Sequence, residues 1–284
     1  MIEDIRKKAF ELLAGKKVDC FIGYERGTDG VNARPAFVYR VEDLHRLVFD
    51  KTCTHNLAKY LLNRKGKKTA VLVKPCDSRA INLLLVENQV ERDDFYAIGV
   101  VCDGIYRTQW GKASDQLQPR CERCNLSTPP LCDYLVGEPI REKWTEDGHY
   151  ADVAEMEKMA ADDRRAFWEK QAERCIRCYS CRSVCPGCYC SECFVDRLDP
   201  EWVGVRIATP QNSLWHEVRA FHLAGRCVGC NECERVCIMD IPLSLLNRKL
   251  EKDVWELFQF RSGISVEKAP LATFKKEEDL DTVK

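Results

Sequence analysis

The sequence predicts an α/β layer with a mainly parallel sheet in the first half of the chain and an α-helical, cysteine-rich unit in the second. Two observations carry this. From Val18 to about Val101, short apolar runs alternate with helical stretches, the pattern of a sheet covered by helices. Between Cys175 and Cys237 the spacing Cys-x2-Cys-x2-Cys-x3-Cys occurs twice, with helical segments leading in and out. The division expected is an α/β domain with a Cys-rich loop over 1–150, the helical unit over 151–265, and a charged tail over 266–284.

The chain opens with a helix in which Ile2, Ile5, Ala9, Phe10 and Leu13 share one stripe and Gly15 is a stop signal. Strands are expected at Val18–Tyr24, Ala36–Tyr39, Ala70–Val73 and Ala97–Val101, each short, apolar and bounded by Gly, Pro or charge. Helical stretches at Val41–Val48, Asn56–Leu62 and Ser78–Glu87 lie between them. Gly104 to about Glu146 has no periodicity and reads as an irregular loop region. A charged helix from about Asp152 then delivers the chain to Cys175, with Met156, Met159, Ala160, Phe167 and Trp168 as its buried side. Asn212 to Ala224 is helical and stops at Gly225, and Pro242 starts a last helix. Phe274 to Lys284 is charged, frayed or bound to a partner.

Composition narrows the function classes. With 284 residues the chain can bury a proper core, so its 18 cysteines are not needed as disulfide staples. Met1 to Leu13 has no leader pattern, and the expected location is cytoplasmic. No apolar run approaches the roughly 18 residues of a membrane span. A net charge of −1 gives no case for nucleic acid or a membrane surface. Thiolates kept for metal imply reducing, oxygen-poor surroundings.

The cysteine runs carry the chemistry. The first is Cys175, Cys178, Cys181 and Cys185, followed by Pro186; the second is Cys227, Cys230, Cys233 and Cys237, followed by Ile238. Three closely spaced thiolates wrap three corners of a 4Fe-4S cubane, and in two-cluster ferredoxins the fourth serves the other cluster. One cluster is therefore expected on Cys175, Cys178, Cys181 and Cys237, and a second on Cys227, Cys230, Cys233 and Cys185. Paired zinc knuckles are the alternative, but they need only two cysteines each. A further cluster is expected on Cys53, Cys102, Cys121 and Cys124, with Cys76 or Cys132 as substitutes and a zinc knuckle as the rival. Cys188, Cys190 and Cys193 are candidate ligands for another centre, and Cys20 reads as buried and inert.

One more segment invites a ligand. In TAVLVKPCDSRAINLLLVENQV a strand ends at Val73, the chain turns through Lys74-Pro75-Cys76, and a helix starts with Asp77 or Ser78 as N-cap. Helix N-termini at strand carboxyl ends attract anions, so Lys74, Cys76, Asp77, Ser78 and Arg79 form a candidate site for a phosphate or carboxylate. The alternative is a plain helix cap with Arg79 paired on the surface. Gly23 to Gly30 lacks the dinucleotide fingerprint. His45, His55, His149, His216 and His222 show no metal spacing, and no catalytic acid, base or nucleophile stands out.

The block LVKPCDSRAINLLLVENQV, followed by AIGVVCDG, resembles the deazaflavin-reducing hydrogenase beta subunit family and its relatives in formate dehydrogenases. The segment CIRCYSCRSVCPGCYCSECF is similar to iron–sulfur subunits of heterodisulfide-reductase-like complexes of anaerobes. The resemblance implies an electron-transfer subunit, with FAD near Lys74 to Arg79. The chain departs from it by lacking a cluster run near the N-terminus, and by Ile238 where ferredoxins usually place Pro. The reading is an iron–sulfur subunit of a multi-subunit anaerobic oxidoreductase that works with other subunits. The alternatives are a flavin-containing subunit converting hydride pairs to single electrons, and a zinc-structured scaffold without redox function.

Overall fold

The computed structural model describes residues 1–109, 112–139 and 149–272. In chain order they give α1 (Ile2–Ala14), β1 (Cys20–Arg26), β2 (Ala33–Val38), β3 (Thr69–Val73), α2 (Pro75–Val86), β4 (Phe95–Val100), β5 (Tyr106–Gln109), β6 (Lys112–Leu117), α3 (Pro119–Glu122) and β7 (Tyr134–Val136). The helical part follows as α4 (Ala151–Lys158), α5 (Ala161–Arg174), α6 (Ser180–Val184), α7 (Thr209–His222), α8 (Glu232–Arg235) and α9 (Leu243–Phe258). The main sheet runs β2-β1-β3-β4-β7. β1, β3, β4 and β7 pair in parallel, and β2 is the antiparallel edge. The expected mainly parallel α/β layer is present, with helices in the second half. No helix among the described residues is long and apolar enough to cross a membrane.

Every residue of β3 is buried, as a central parallel strand covered on both faces must be. β4 and β1 flank it and carry the core of Phe21, Ile22, Ala97 and Ile98. β7 lies within the stretch expected to be irregular. Three residues gave too short an apolar run to read, and a side chain fixes their register: Asp133 accepts Ala97 N–H at 2.7 Å and returns its own N–H to Ala97 O at 2.8 Å. Gly99 is required opposite, because a Cβ there would stand 2.7 Å from Cys132 Cβ.

Other expectations are corrected. Val41–Arg46 and Ala58–Asn63 are 3-10 turns rather than α-helices. In α1 the buried residues are Ile5, Ala9, Leu12 and Leu13, while Phe10 is exposed. The expected single helix before Cys175 is two, since Met159 and Ala160 are extended. Arg164 bonds Glu157 O and Met159 O across the break. Ala160 is exposed, and the buried residues of the pair are Val153, Gln171 and Ala172. α2 starts at Pro75 with Lys74 as N-cap, so neither Asp77 nor Ser78 is the N-cap residue, although Asp77 closes the helix start by accepting the Lys74 N–H. The tail from Phe274 lies outside the described residues.

The turn into α2 is locked by a buried ion pair. Lys74 Nζ stands 2.8 Å from Asp77 Oδ2, with the two side chains 1% and 0% exposed. Asp77 also accepts Lys74 N–H at 2.8 Å and Leu57 N–H at 2.7 Å, and Lys74 reaches His55 O at 2.9 Å. Burial alone would strip the lysine of its proton, but Asp77 beside it holds its pKa above the usual value. Removing one partner leaves an uncompensated buried charge. Asp77→Ala is expected to cost about 3–5 kcal/mol, read as a lowered urea midpoint under anaerobic conditions.

Candidate metal centres

The two cysteine runs fold as structural repeats. In the first, Arg177 (φ 51°) and Tyr179 (φ 59°) are left-handed; in the second, Gly229 (φ 65°) and Asn231 (φ 50°) occupy the same offsets. Each loop then enters a short helix, α6 or α8. Tyr179 O accepts the N–H groups of Arg182 and Ser183, as Asn231 O accepts those of Glu234 and Arg235. The fourth cysteines are placed alike, Cys185 N–H on Arg182 O and Cys237 N–H on Glu234 O. Left-handed turns point successive thiols inward, which a regular helix or strand could not do at this spacing.

The thiols gather in two narrow cavities. Cys175, Cys178, Cys181 and Cys237 line one, and Cys185, Cys227, Cys230 and Cys233 line the other. Each cavity thus takes three thiols from one run and the fourth from the other. The donor sets and matched loops suit soft, thiolate-bound iron. Burial pushes Cys227 and Cys233 up to about 12, so metal must displace their protons on binding. Among the described residues no three His, Cys, Asp or Glu converge on a single metal ion.

Polar groups of α7 face these loops at helical spacing. Asn212 donates to Ala172 O and Cys175 O at 2.9 and 2.8 Å. His216 Nε2 lies 3.3 Å from Cys175 Sγ, and burial lowers its pKa to about 4, so a neutral ring shares a hydrogen bond with that sulfur and would donate to it as a thiolate. Arg219, 3% exposed, donates to Cys181 O. Burial opposes its charge, but the sulfurs of Cys185, Cys233, Cys188 and Cys181 hold its pKa well up. Metal-ligand spacing does not single out His216 among the histidines. The missed signal was Asn212, His216 and Arg219 at steps of four and three on the helix joining the runs.

Cys188 sits against Cys185. Its S–H donates to the Cys185 sulfur, the main cause that pulls Cys185 below the usual thiol range. Lys59 Nζ bonds Cys185 O and Cys188 O, at 2.9 and 2.5 Å. Cys190 is exposed and Cys193 half-buried, and neither lines either narrow cavity.

A third and larger cavity, about 540 Å³, lies between the sheet and the second run. Cys76, Cys102, Cys121 and Cys124 line it, with Val228 and Gly229 of the second loop opposite. Of the further ligand set expected from sequence, Cys53 is not brought there. It is fully buried, with its sulfur on Asp50 N–H and its thiol directed at Val48 O. Cys132 packs on Gly99, and Cys20 is buried in β1. In the candidate anion site, Lys74 and Asp77 are paired, Ser78 bonds Leu131 N and O, each at 2.8 Å, and Arg79 donates to Ser262 O. Lys74, Cys76 and Arg79 line the cavity, while Asp77 and Ser78 do not.

No family model matches the chain. It is similar to the F420-dependent formate dehydrogenase subunit beta of Methanocaldococcus jannaschii, 24% identical over 356 residues and covering 93% of this chain and 92% of that one. The F420-dependent formate dehydrogenase 1 subunit beta of Methanococcus maripaludis is 25% identical over 344 residues, covering 89% and 88%. The resemblance to formate dehydrogenase beta subunits drawn from LVKPCDSRAINLLLVENQV and AIGVVCDG is borne out by these relatives.

Proposed function

We propose that this chain is an iron–sulfur electron-transfer subunit of a multi-subunit oxidoreductase, with a two-cluster ferredoxin unit in its second half. The observation that carries the reading is the crossed grouping of eight thiols around two cavities by loops of one conformation. Clusters held there would supply one-electron transfer at potentials set by hydrogen bonds, burial and charge. The chain's own residues do the rest. The two loops hold the thiols in fixed positions, Arg219 sets a positive charge between the groups, and His216 donates to a ligand sulfur. Among the described residues we find no acid–base or nucleophilic group arranged for work on a substrate.

The relatives' names bring in the partners. Both are beta subunits of an F420-dependent formate dehydrogenase, which supports a complex oxidising formate, with a deazaflavin at the other end of the electron path. Lys74, Cys76 and Arg79 on the large cavity support the second reading, a subunit that also holds a flavin. Stoichiometric FAD in anaerobically purified chain would favour that reading.

Two outcomes test the wire. Cys185→Ala should disturb the cluster on Cys227, Cys230 and Cys233 while sparing the one on Cys175, Cys178 and Cys181, as read by electron paramagnetic resonance of the reduced protein. The Cys185→Ala/Cys188→Ala double variant removes the adjacent thiol as a replacement and should lose that signal altogether. Damage confined to the Cys175 group would reverse the crossed assignment. His216→Phe should lower the potential of the Cys175-bound cluster, because the N–H···S bond stabilises its more negative, reduced form. A bond worth about 1 kcal/mol corresponds to roughly 40 mV for one electron. Redox titration should show the other cluster unmoved.

A further inference from the structure

We propose that Arg219 is the shared counter-ion of the two thiol-lined cavities and holds the potentials of both clusters up together. The inference rests on the electron-transfer reading and adds what tunes it. Arg219 lies on α7, the helix that joins the two cysteine runs, and is 3% exposed. Its side chain lines the cavity of Cys185, Cys227, Cys230 and Cys233 and donates to Cys181 O of the first run at 3.2 Å. One guanidinium thus stands between the two groups. His216, three residues earlier on the same helix, meets a sulfur of the first group alone.

Protein carboxylates do not answer this charge. Among the described residues none pairs with Arg219, and its Nε has no hydrogen-bond partner. Other buried arginines are answered: Arg120 by Glu232 at 2.8 Å and Arg248 by Asp152 at 2.9 Å. Arginine cannot shed its proton, and a buried charge is costly unless it is paired. The negative charge within reach is sulfur, since the thiols of Cys181, Cys185, Cys188 and Cys233 are what hold the guanidinium charged. Cys181 belongs to one proposed cluster, and Cys185 and Cys233 to the other.

Four thiolates outweigh the positive charge of an iron–sulfur cubane, and reduction adds a further negative charge. A cation fixed beside both groups therefore favours the reduced form of each, because potential follows net charge and surroundings. An electron leaving one cluster oxidises it and reduces the other, with no other reactant. It passes from one side of the guanidinium to the other and keeps the same counter-charge beside it. Arg219 thereby ties the two potentials to one residue.

The test is a redox titration of the reconstituted full-length chain, with both clusters followed by electron paramagnetic resonance and iron counted per chain. Arg219→Met removes the charge at similar bulk. It should lower the reduction equilibrium constant of each cluster about tenfold, or roughly 59 mV for one electron. Arg219→Lys keeps the charge and should hold both potentials near wild type. If Arg219→Met takes up no iron, Arg219→Lys with both clusters at wild-type potentials still supports the required charge. Four outcomes would overturn the shared counter-ion: unchanged potentials in a fully loaded Arg219→Met chain, a shift in one cluster only, an equal shift in Arg219→Lys, or loss of both clusters in both variants. Each leaves the electron-transfer reading standing, because wild type still shows both signals. Absence of both signals in wild type would sink that reading and this inference with it.

Discussion

The joint on which the arrangement turns is the guanidinium of Arg120. It is 7% exposed, cannot shed its proton, and must find its partners inside the protein. It finds them in three places: Thr54 O beside the sheet, Cys230 O in the second run, and Glu232 at the start of α8, 2.8 Å away. Burial works against the Glu232 charge, but Arg120 and Arg235 outweigh it and hold the carboxyl at about 2. Glu232 adjoins Cys233, and Arg120 adjoins Cys121. The same buried charge pair that a core could dispense with therefore fixes how the cysteines of the α/β half stand against those of the helical half. Glu87 with Arg226, at 2.8 Å, and Asn82 with Gly263 O, at 2.9 Å, add to the seam. Gly263 is needed there, since a Cβ on it would meet Arg79 O at 2.2 Å.

The cysteine loops bear a second constraint. Four positions are left-handed and only one of them is glycine. Such residues cost on the order of 1–3 kcal/mol each, so the surroundings must over-determine them. Asn231 tolerates the conformation for local reasons. Tyr179 has no such excuse, and is held by an edge-on contact with Trp215 at 5.1 Å and by Arg182 over its ring at 5.0 Å. Trp215 is 1% exposed and packs the small core beneath the first run. Aromatic residues near the motif are thus the mould that keeps the thiols inward. A rigid ligand frame suits electron transfer, where the protein supplies placement and surroundings and little else.

How much was legible depended on whether a feature lay along the chain or across it. The two runs were legible because four thiols at fixed offsets leave few other meanings. β3 and β4 were legible because both faces are buried and TAVLV and FYAIGV read as apolar throughout. β7 was not, because Asp133 and Gly99 register it rather than its own three residues. The turn at Lys74 to Arg79 read as an anion cradle because its donors looked free. In the fold Asp77 occupies the helix start and Lys74 answers it, which only the approach of Leu57 and Tyr24 could reveal. Cys53 was grouped with Cys102 because both end short elements. The sequence holds no sign that one thiol turns into the core while Cys76 faces the cavity.

The two groups of run cysteines differ in how far they reach the surface. The group of Cys185, Cys227, Cys230 and Cys233 has no exposed member, and its last two are 7% exposed. The other ferredoxin-type group reaches the surface: Cys178 is exposed, and its neighbours Ile176 and Ile238 are 43% and 71% exposed. Ile238 stands where ferredoxins usually have proline, and at that exposure it shields the cavity rim little. Solvent near a cluster helps set its potential, so the proposed wire ends in its most water-exposed station. Exposed apolar residues flanking a redox site also offer a partner something to bury.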